Sequence, residues 1–250
     1  MKKYSIISVV NKSYTEFAYV FVKSALEKLN LDNLIEIRLL DTGIDSVDKV
    51  KLSSLHPKVV IQTAKAIHNS NEPWDEGWQE NVLLKTNFAY DYLFENKVAT
   101  FMIDIDSMFI NTLQDIVELE VDAIVCDRSD LWAGMPAIAS FVGFINVENS
   151  LNFIKVWRDK MNFMLEKGFK TRETPALNEV IKYNTTLNIA GISHQLVGLY
   201  KTDLETDETR ILHFKGDGES EGKPIEEAVS IRLNKFKKYN SKIKKYLEDV

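Results

Sequence analysis

Apolar positions along this chain follow two periods, in alternating blocks. Tyr4–Val10 is a β-rich run that stops at the polar Asn11-Lys12-Ser13, which predicts a first strand and a turn. From Thr15 to Asn30, Phe17, Phe21, Ala25 and Leu29 fall four apart, predicting an amphipathic helix that stops at Asn30. Leu34–Leu40, ending at Asp41-Thr42-Gly43, and Val59–Gln62 read as the second and third strands. Asn81–Glu95 carries Val82, Thr86, Ala89 and Leu93 on one face and predicts a helix leading into Val98–Ile103. That run is apolar on both alternations apart from Thr100, as in a strand buried on both faces of an α/β sheet. Val121–Cys126 and Ala137–Val147 read as further strands, and Gly143 inside the second signals close approach of a backbone or a ligand. Helices are predicted over Leu151–Leu165, with Met161 and Met164 as core filler, and from Pro175 to about Tyr183. A short strand then delivers His213. Finally Ile225, Val229, Leu233, Phe236, Tyr239, Ile243 and Leu247 recur every three or four residues, predicting one long amphipathic helix over Ile225–Leu247.

Strands alternating with helices predict an α/β fold with a mostly parallel, doubly wound sheet flanked by helices. The division expected is a catalytic domain over 1–224 and a C-terminal basic amphipathic helix over 225–250. In such sheets ligands sit beyond the carboxyl ends of the strands, where Asn11, Asp41, Asp104 and Asp106 all fall. At 250 residues, with 45% apolar and 27% charged, the chain has the composition of a globular protein with one sizeable core. A net charge of −6 gives no global reason to bind nucleic acid. The single cysteine, Cys126, excludes an intrachain disulfide and fits a reducing cytoplasm. The opening MKKYSIISVV has a short, serine-interrupted apolar core and no small-residue cleavage site, so it reads as a strand rather than a signal peptide. No stretch is long enough to cross a bilayer.

The chemistry gathers around Asp104-Ile105-Asp106, at the end of the most apolar strand. Residues two apart in extended chain point to one side, so the two carboxylates converge if that geometry persists. Two such charges are costly to bury unless a cation joins them, and a hard divalent ion with phosphate oxygens completing its shell is a natural partner. The plainer alternative is a strand ending in solvent, where Asp is common. Trp74 and Trp78, in the loop Glu72–Trp78, read either as a stacking platform or as core. His213 follows a strand and precedes Lys215-Gly216, which makes it a candidate ligand. The glycines let backbone approach a phosphate that Lys215 or Lys223 would neutralise.

With those motifs in view, the chain resembles the GT-A nucleotide-diphospho-sugar glycosyltransferases, most closely the retaining family eight of lipopolysaccharide galactosyltransferases and glycogenin. MIDIDSMFI is similar to that family's apolar strand ending in DxD, and ILHFKGDG with Lys223-Pro224 to its closing motif of His, two residues, Gly, then Lys-Pro. The resemblance implies a GT-A (Rossmann-like) mixed, mostly parallel sheet and a metal-dependent transfer of sugar from a UDP-sugar, with retention. It implies Asp104, Asp106 and His213 as ligands of Mn²⁺ or Mg²⁺ and a lysine, Lys215 or Lys223, on the phosphate beside Gly216. Val9, Asn11, Asp41, Lys85 and Ile105 fall where the donor would lie. Asp127 and Glu173 fall where acidic residues would orient the sugar, and Asn178 closes the segment Glu173–Asn178 that lines the acceptor side. Two departures stand out: Phe141-Val142-Gly143 replaces Asn-Ala-Gly, and Glu173-Thr174 opens a segment that usually begins Asp-Gln. The acceptor implied is a saccharide or a lipid-linked one. Lys235, Lys237, Lys238, Lys242, Lys244 and Lys245 would then face an anionic membrane surface, with nucleic acid a weaker variant of the same electrostatics.

Two rival readings remain at this level. A phosphatase of the haloacid dehalogenase type also places DxD after an apolar strand, but wants Thr or Val where this chain has Met108, and a later acidic pair. A non-catalytic nucleotide-sugar-binding domain would keep the fold without turnover.

Overall fold

In the computed structural model the described residues are 1–64, 76–169, 173–200, 204–216, 220 and 223–248; the side chains of 76–82 lie outside them. Strands β1 (Tyr4–Val10), β2 (Leu34–Asp41) and β3 (Val59–Thr63) are joined by helices α1 (Thr15–Lys28) and α2 (Ser46–Ser54), and α3 (Glu76–Asn96) leads into β4 (Ala99–Ile103). These strands lie parallel in the order β3-β2-β1-β4, as helical crossovers require. There follow β5 (Ser107–Phe109), a short α4 (Gln114–Val117), β6 (Ala123–Asp127), β7 (Ala137–Phe144), α5 (Val147–Glu166) and α6 (Glu173–Tyr183). Then come β8 (Ile189–Ser193), α7 (His194–Val197), β9 (Ile211–His213), α8 (Ile225–Leu233) and α9 (Asn240–Leu247). Strand β7 runs antiparallel between β4 and β6, and β8 pairs in parallel with β6, so the seven-stranded sheet is mixed and mostly parallel, as expected.

Three apolar clusters hold the layers. One face of the sheet packs Ile37 and Leu39 under Phe21, Val22 and Leu52 of α1 and α2. The other packs Met102 and Val142 under Phe88, Phe153, Trp157 and Leu177 of α3, α5 and α6. The third joins Phe17 and Val20 of α1 to Met108, Leu212 and Phe214, and to Val229, Leu233, Phe236, Ile243 and Tyr246 of the C-terminal segment. That segment therefore shares its core with α1 and with β5 and β9. No helix among the described residues is long and apolar enough to cross a membrane.

The single helix expected over Ile225–Leu247 is two helices with a 3₁₀ turn, Lys237–Tyr239, between them. Phe236 leaves helical geometry (φ −98°, ψ 76°) and sets its fully buried ring edge-on against Phe214, with centroids 5.5 Å apart. Burying a phenylalanine is worth about 1.5–3 kcal/mol, against about 1 kcal/mol for each backbone hydrogen bond given up. The break is thus affordable and the apolar spacing survives it.

Gly143 is indeed a close approach, though not of backbone or ligand. A Cβ there would lie 2.7 Å from Phe101 Cε1 and 3.2 Å from Ile124 Cβ, the side chains of both neighbouring strands. Gly143→Ala is therefore expected to destabilise by about 1–3 kcal/mol through overpacking. At about 2–4 °C per kcal/mol for a chain of this size, thermal melting should read it directly; an unchanged melt would mean that Phe101 can turn aside.

Candidate functional site

Strand β4 stops at Ile103, before the acidic pair, so extended alternation does not carry through Asp104 and Asp106. A bend does the work instead. The Asp104 N–H is held by the Ser140 carbonyl of β7 at 2.9 Å, and the chain turns at Ile105-Asp106 into β5. Strands β5 and β9 form a separate two-stranded ribbon in which Ser107 pairs with His213. The Phe214 N–H donates to the Asp106 carbonyl at 2.7 Å and locks the register. His213 is thereby brought from far along the chain onto the acidic pair. One ligand atom from each of Asp104, Asp106 and His213 lies within 4.8 Å of the others. His213 Nε2 stands 3.4 Å from Asp106 Oδ1 and 3.8 Å from Asp104 Oδ2.

The remaining carboxylate oxygens face cations. Lys85 of α3, almost fully buried, pairs with Asp104 Oδ1 and donates to the Ala139 carbonyl at 2.9 Å and to Glu173 Oε1 at 3.3 Å. Burial pulls the Lys85 ammonium down, and Asp104 and Glu173 more than offset it, leaving its pKa above the ordinary lysine value. On the other side Arg232 of α8 pairs with Asp106 Oδ2. Burial alone would raise the Asp106 carboxyl, but His213 and Arg232 beside it hold it down to about 2. Two carboxylate oxygens and an imidazole nitrogen are a donor set suited to Mn²⁺ or Mg²⁺.

The other expected residues separate into those near this centre and those with a structural task. Glu173 joins it through Lys85, its own carbonyl fixed by Trp157 Nε1 at 2.9 Å. Lys215, next to Phe214, has its ammonium 5.5 Å above the Tyr200 ring, and Gly216 follows it. Lys223 points elsewhere, pairing with Glu227 on the exposed face of α8 at 2.8 Å. Asp127 ends β6, where its side chain accepts from Ser129 N–H at 2.8 Å and packs against Gly191. Asn178 is spent on structure: its amide pairs with both the N–H and the carbonyl of Ala137, at 2.9 and 2.8 Å, and clamps the start of β7. Ile105 is a core side chain. Val9 is half-buried near the end of β1, with Asn11 just beyond.

Asp41, expected at the base or ribose, is fully buried. It accepts from the N–H groups of Gly43 and Ile44 at 2.8 and 2.7 Å and from Thr63 at 3.2 Å, and it pairs with Lys49, so it ties the turn after β2. Trp74 lies outside the described residues, as does the side chain of Trp78. Three of the six C-terminal lysines are tied down: Lys235 to the Lys215 carbonyl, Lys238 to Glu205 and Lys242 to Glu27. Lys237, Lys244 and Lys245 are exposed. Cys126 is buried in β6, and burial pushes its thiol up to about 12. Arg232 is the participant that sequence reasoning missed. Its one signal was a charge beside Leu233, at the edge of an otherwise apolar stripe.

No family model matches the chain, and no curated protein matches it. Solved structures do. The bifunctional glycosyltransferase WbbM superposes on 98% of the chain with a TM-score of 0.62 at 11% identity. Galactosyltransferase LgtC, solved with donor and acceptor sugar analogues, superposes on 91% with a TM-score of 0.57 at 12% identity. The chain has the GT-A fold. Glycosyltransferase GlyE of Streptococcus pneumoniae TIGR4 shares that fold over 97% of the chain, with a TM-score of 0.62 at 15% identity. The chain spans about half of WbbM (52%), 64% of GlyE and 95% of LgtC. In this GT-A fold Asp104 and Asp106 leave the carboxyl end of β4, where open α/β sheets bind their ligands.

Proposed function

We propose that this GT-A chain is a metal-dependent glycosyltransferase that moves a sugar from a nucleotide diphosphate, a UDP-sugar in the simplest reading, to an acceptor hydroxyl with retention. The observation that carries the reading is the convergence of Asp104, Asp106 and His213, each carboxylate turning one oxygen toward the imidazole and the other toward a cation. A bound Mn²⁺ or Mg²⁺ would neutralise charge on the diphosphate leaving group. Asp104, Asp106 and His213 would hold that ion, and Lys85 keeps Asp104 turned toward it. Lys215, two residues after His213, would meet a phosphate; it is preferred to Lys223 because Lys223 is paired with Glu227. Glu173 and Asp127 would orient sugar hydroxyls, and Val9 and Asn11 would border the base. The acceptor is a saccharide, free or lipid-linked, and exposed Lys237, Lys244 and Lys245 offer a small basic surface to an anionic one. The fold likeness to glycosyltransferases supports this reading over a phosphatase.

UDP release from a panel of UDP-sugars, without acceptor, tests the proposal. At least one sugar should give release that EDTA abolishes and Mn²⁺ restores. Release that persists in EDTA would remove the metal from the mechanism. No release, together with no thermal shift by any nucleotide sugar plus Mn²⁺, would remove the transferase reading.

A further inference from the structure

We infer that Arg232, on α8, is a positioning residue for the proposed metal centre: it fixes Asp106 so that Oδ1 alone faces the ion, as Lys85 fixes Asp104 from the opposite side. The inference rests on the metal-dependent reading above, and it extends the centre to a helix that no motif assigned to it.

Three observations carry it. The first is the paired geometry. Asp104 gives Oδ1 to Lys85 and turns Oδ2 toward His213; Asp106 gives Oδ2 to Arg232 and turns Oδ1 toward the same imidazole nitrogen. Each carboxylate is thus held in a one-oxygen presentation. The second is that Arg232 is itself immobilised. Its side chain is only 11% exposed, and the guanidinium lies 4.7 Å from the Phe17 ring centre and 5.3 Å from that of Tyr14. An arginine so enclosed keeps little rotamer freedom, and stacking on aromatic faces suits its planar fork.

The third is where its other donors go. Nε donates to the Phe214 carbonyl at 2.6 Å, and Nη1 to the Tyr14 hydroxyl at 3.2 Å. One guanidinium therefore joins the bend that carries Asp106, the residue after His213, and the turn before α1. An exposed ion pair needs none of this: Lys223, just before α8, meets Glu227 four residues on with both side chains exposed to water.

Charge and orientation act in opposite directions here. A nearby guanidinium repels a divalent cation, so if Arg232 were only a charge, its removal would tighten metal binding. Groups that hydrogen-bond metal ligands from outside instead lower affinity by about 10–100-fold when removed. The immobilised fork argues for the second effect.

The test is Mn²⁺ titrated into the full chain in the presence of UDP, read by loss of the free Mn²⁺ paramagnetic resonance signal after correction for UDP alone. Wild type, Asp106→Asn, Arg232→Met, Arg232→Lys and Tyr14→Phe are compared, with thermal melts in EDTA. Arg232→Met keeps the stem between the two rings and should weaken Mn²⁺ binding at least about tenfold. Arg232→Lys should recover part of that loss, and Tyr14→Phe should weaken binding by a smaller factor. Wild-type or tighter binding in a folded Arg232→Met protein overturns the inference. If that variant melts below the assay temperature, unchanged binding in both Arg232→Lys and Tyr14→Phe overturns it. Wild type that binds no more Mn²⁺ than Asp106→Asn overturns the metal reading, and this inference with it.

Discussion

Asp106→Asn is expected to reduce UDP release by about a hundredfold or more, because a metal contact supplies several kcal/mol to the departing diphosphate and each 1.36 kcal/mol is about tenfold in rate. The same substitution should also cost stability. Asp106 is buried and faces Arg232, and removing the charged partner of a buried pair typically costs about 3–5 kcal/mol. Asparagine keeps an acceptor oxygen, which places the expectation near the lower end, about 3 kcal/mol or roughly 6–12 °C in Tm. The pH dependence has a definite sign. A carboxyl lowered from 3.8 to about 2 contributes stability above its unfolded value and loses it as pH falls through the folded one. Wild type should therefore lose this contribution between about pH 4 and pH 2, and Asp106→Asn should not. Melts across that window, alongside UDP release at a temperature where both proteins are folded, separate the two effects. Full turnover in the variant would end the metal mechanism.

The second large effect is expected at Lys85. Lys85→Met leaves Asp104 and Glu173 facing each other with no cation between them, and takes a donor from the Ala139 carbonyl. Asp104 is partly exposed, with 29% of its side chain open to water, so the lower end of the range for breaking a buried pair applies. That is about 3 kcal/mol. Because the Lys85 pKa is raised, its contribution is fully present through neutral pH and up to the ordinary lysine value, and is lost only as pH rises further. The deficit of the variant should accordingly stay constant between about pH 6 and 9. A melt within about 1 kcal/mol of wild type would show that water already screens the trio.

Which parts of this were legible in the sequence follows from how each signal is written. The strand order along the chain, the apolar β4 and the DxD after it are local patterns, and the structure has them where spacing put them. His213 was found because its strand and the glycine after it are also local. The ribbon that unites them was not visible, since β5 and β9 are three residues each, too short to show a period. Asp41 was placed on the ligand side because a polar residue at a strand end looks the same whether it meets a ligand or a backbone, and Asn178 because its segment, Glu173–Asn178, resembles one that lines an acceptor. Here both meet backbone. Arg232 was passed over for the opposite reason: an arginine in an amphipathic stripe ordinarily faces water, and only its tertiary surroundings reverse that.

The reach of the β5–β9 ribbon also sets an order of events during synthesis. All seven strands of the main sheet are complete by Ser193, whereas the cradle needs His213 and then Arg232. Chains emerge amino end first, at about 5–20 residues per second, so the interval between the last sheet strand and Arg232 is about 2–8 s. Throughout it the nascent sheet presents Asp104 and Asp106 with Lys85 as the one cation of the pair already made. Closing the stretch between Ser193 and Arg232 to bring in the second adds an entropic delay before the acidic pair is neutralised. A ribosome that pauses in this stretch would hold the chain with Asp106 still lacking its guanidinium partner.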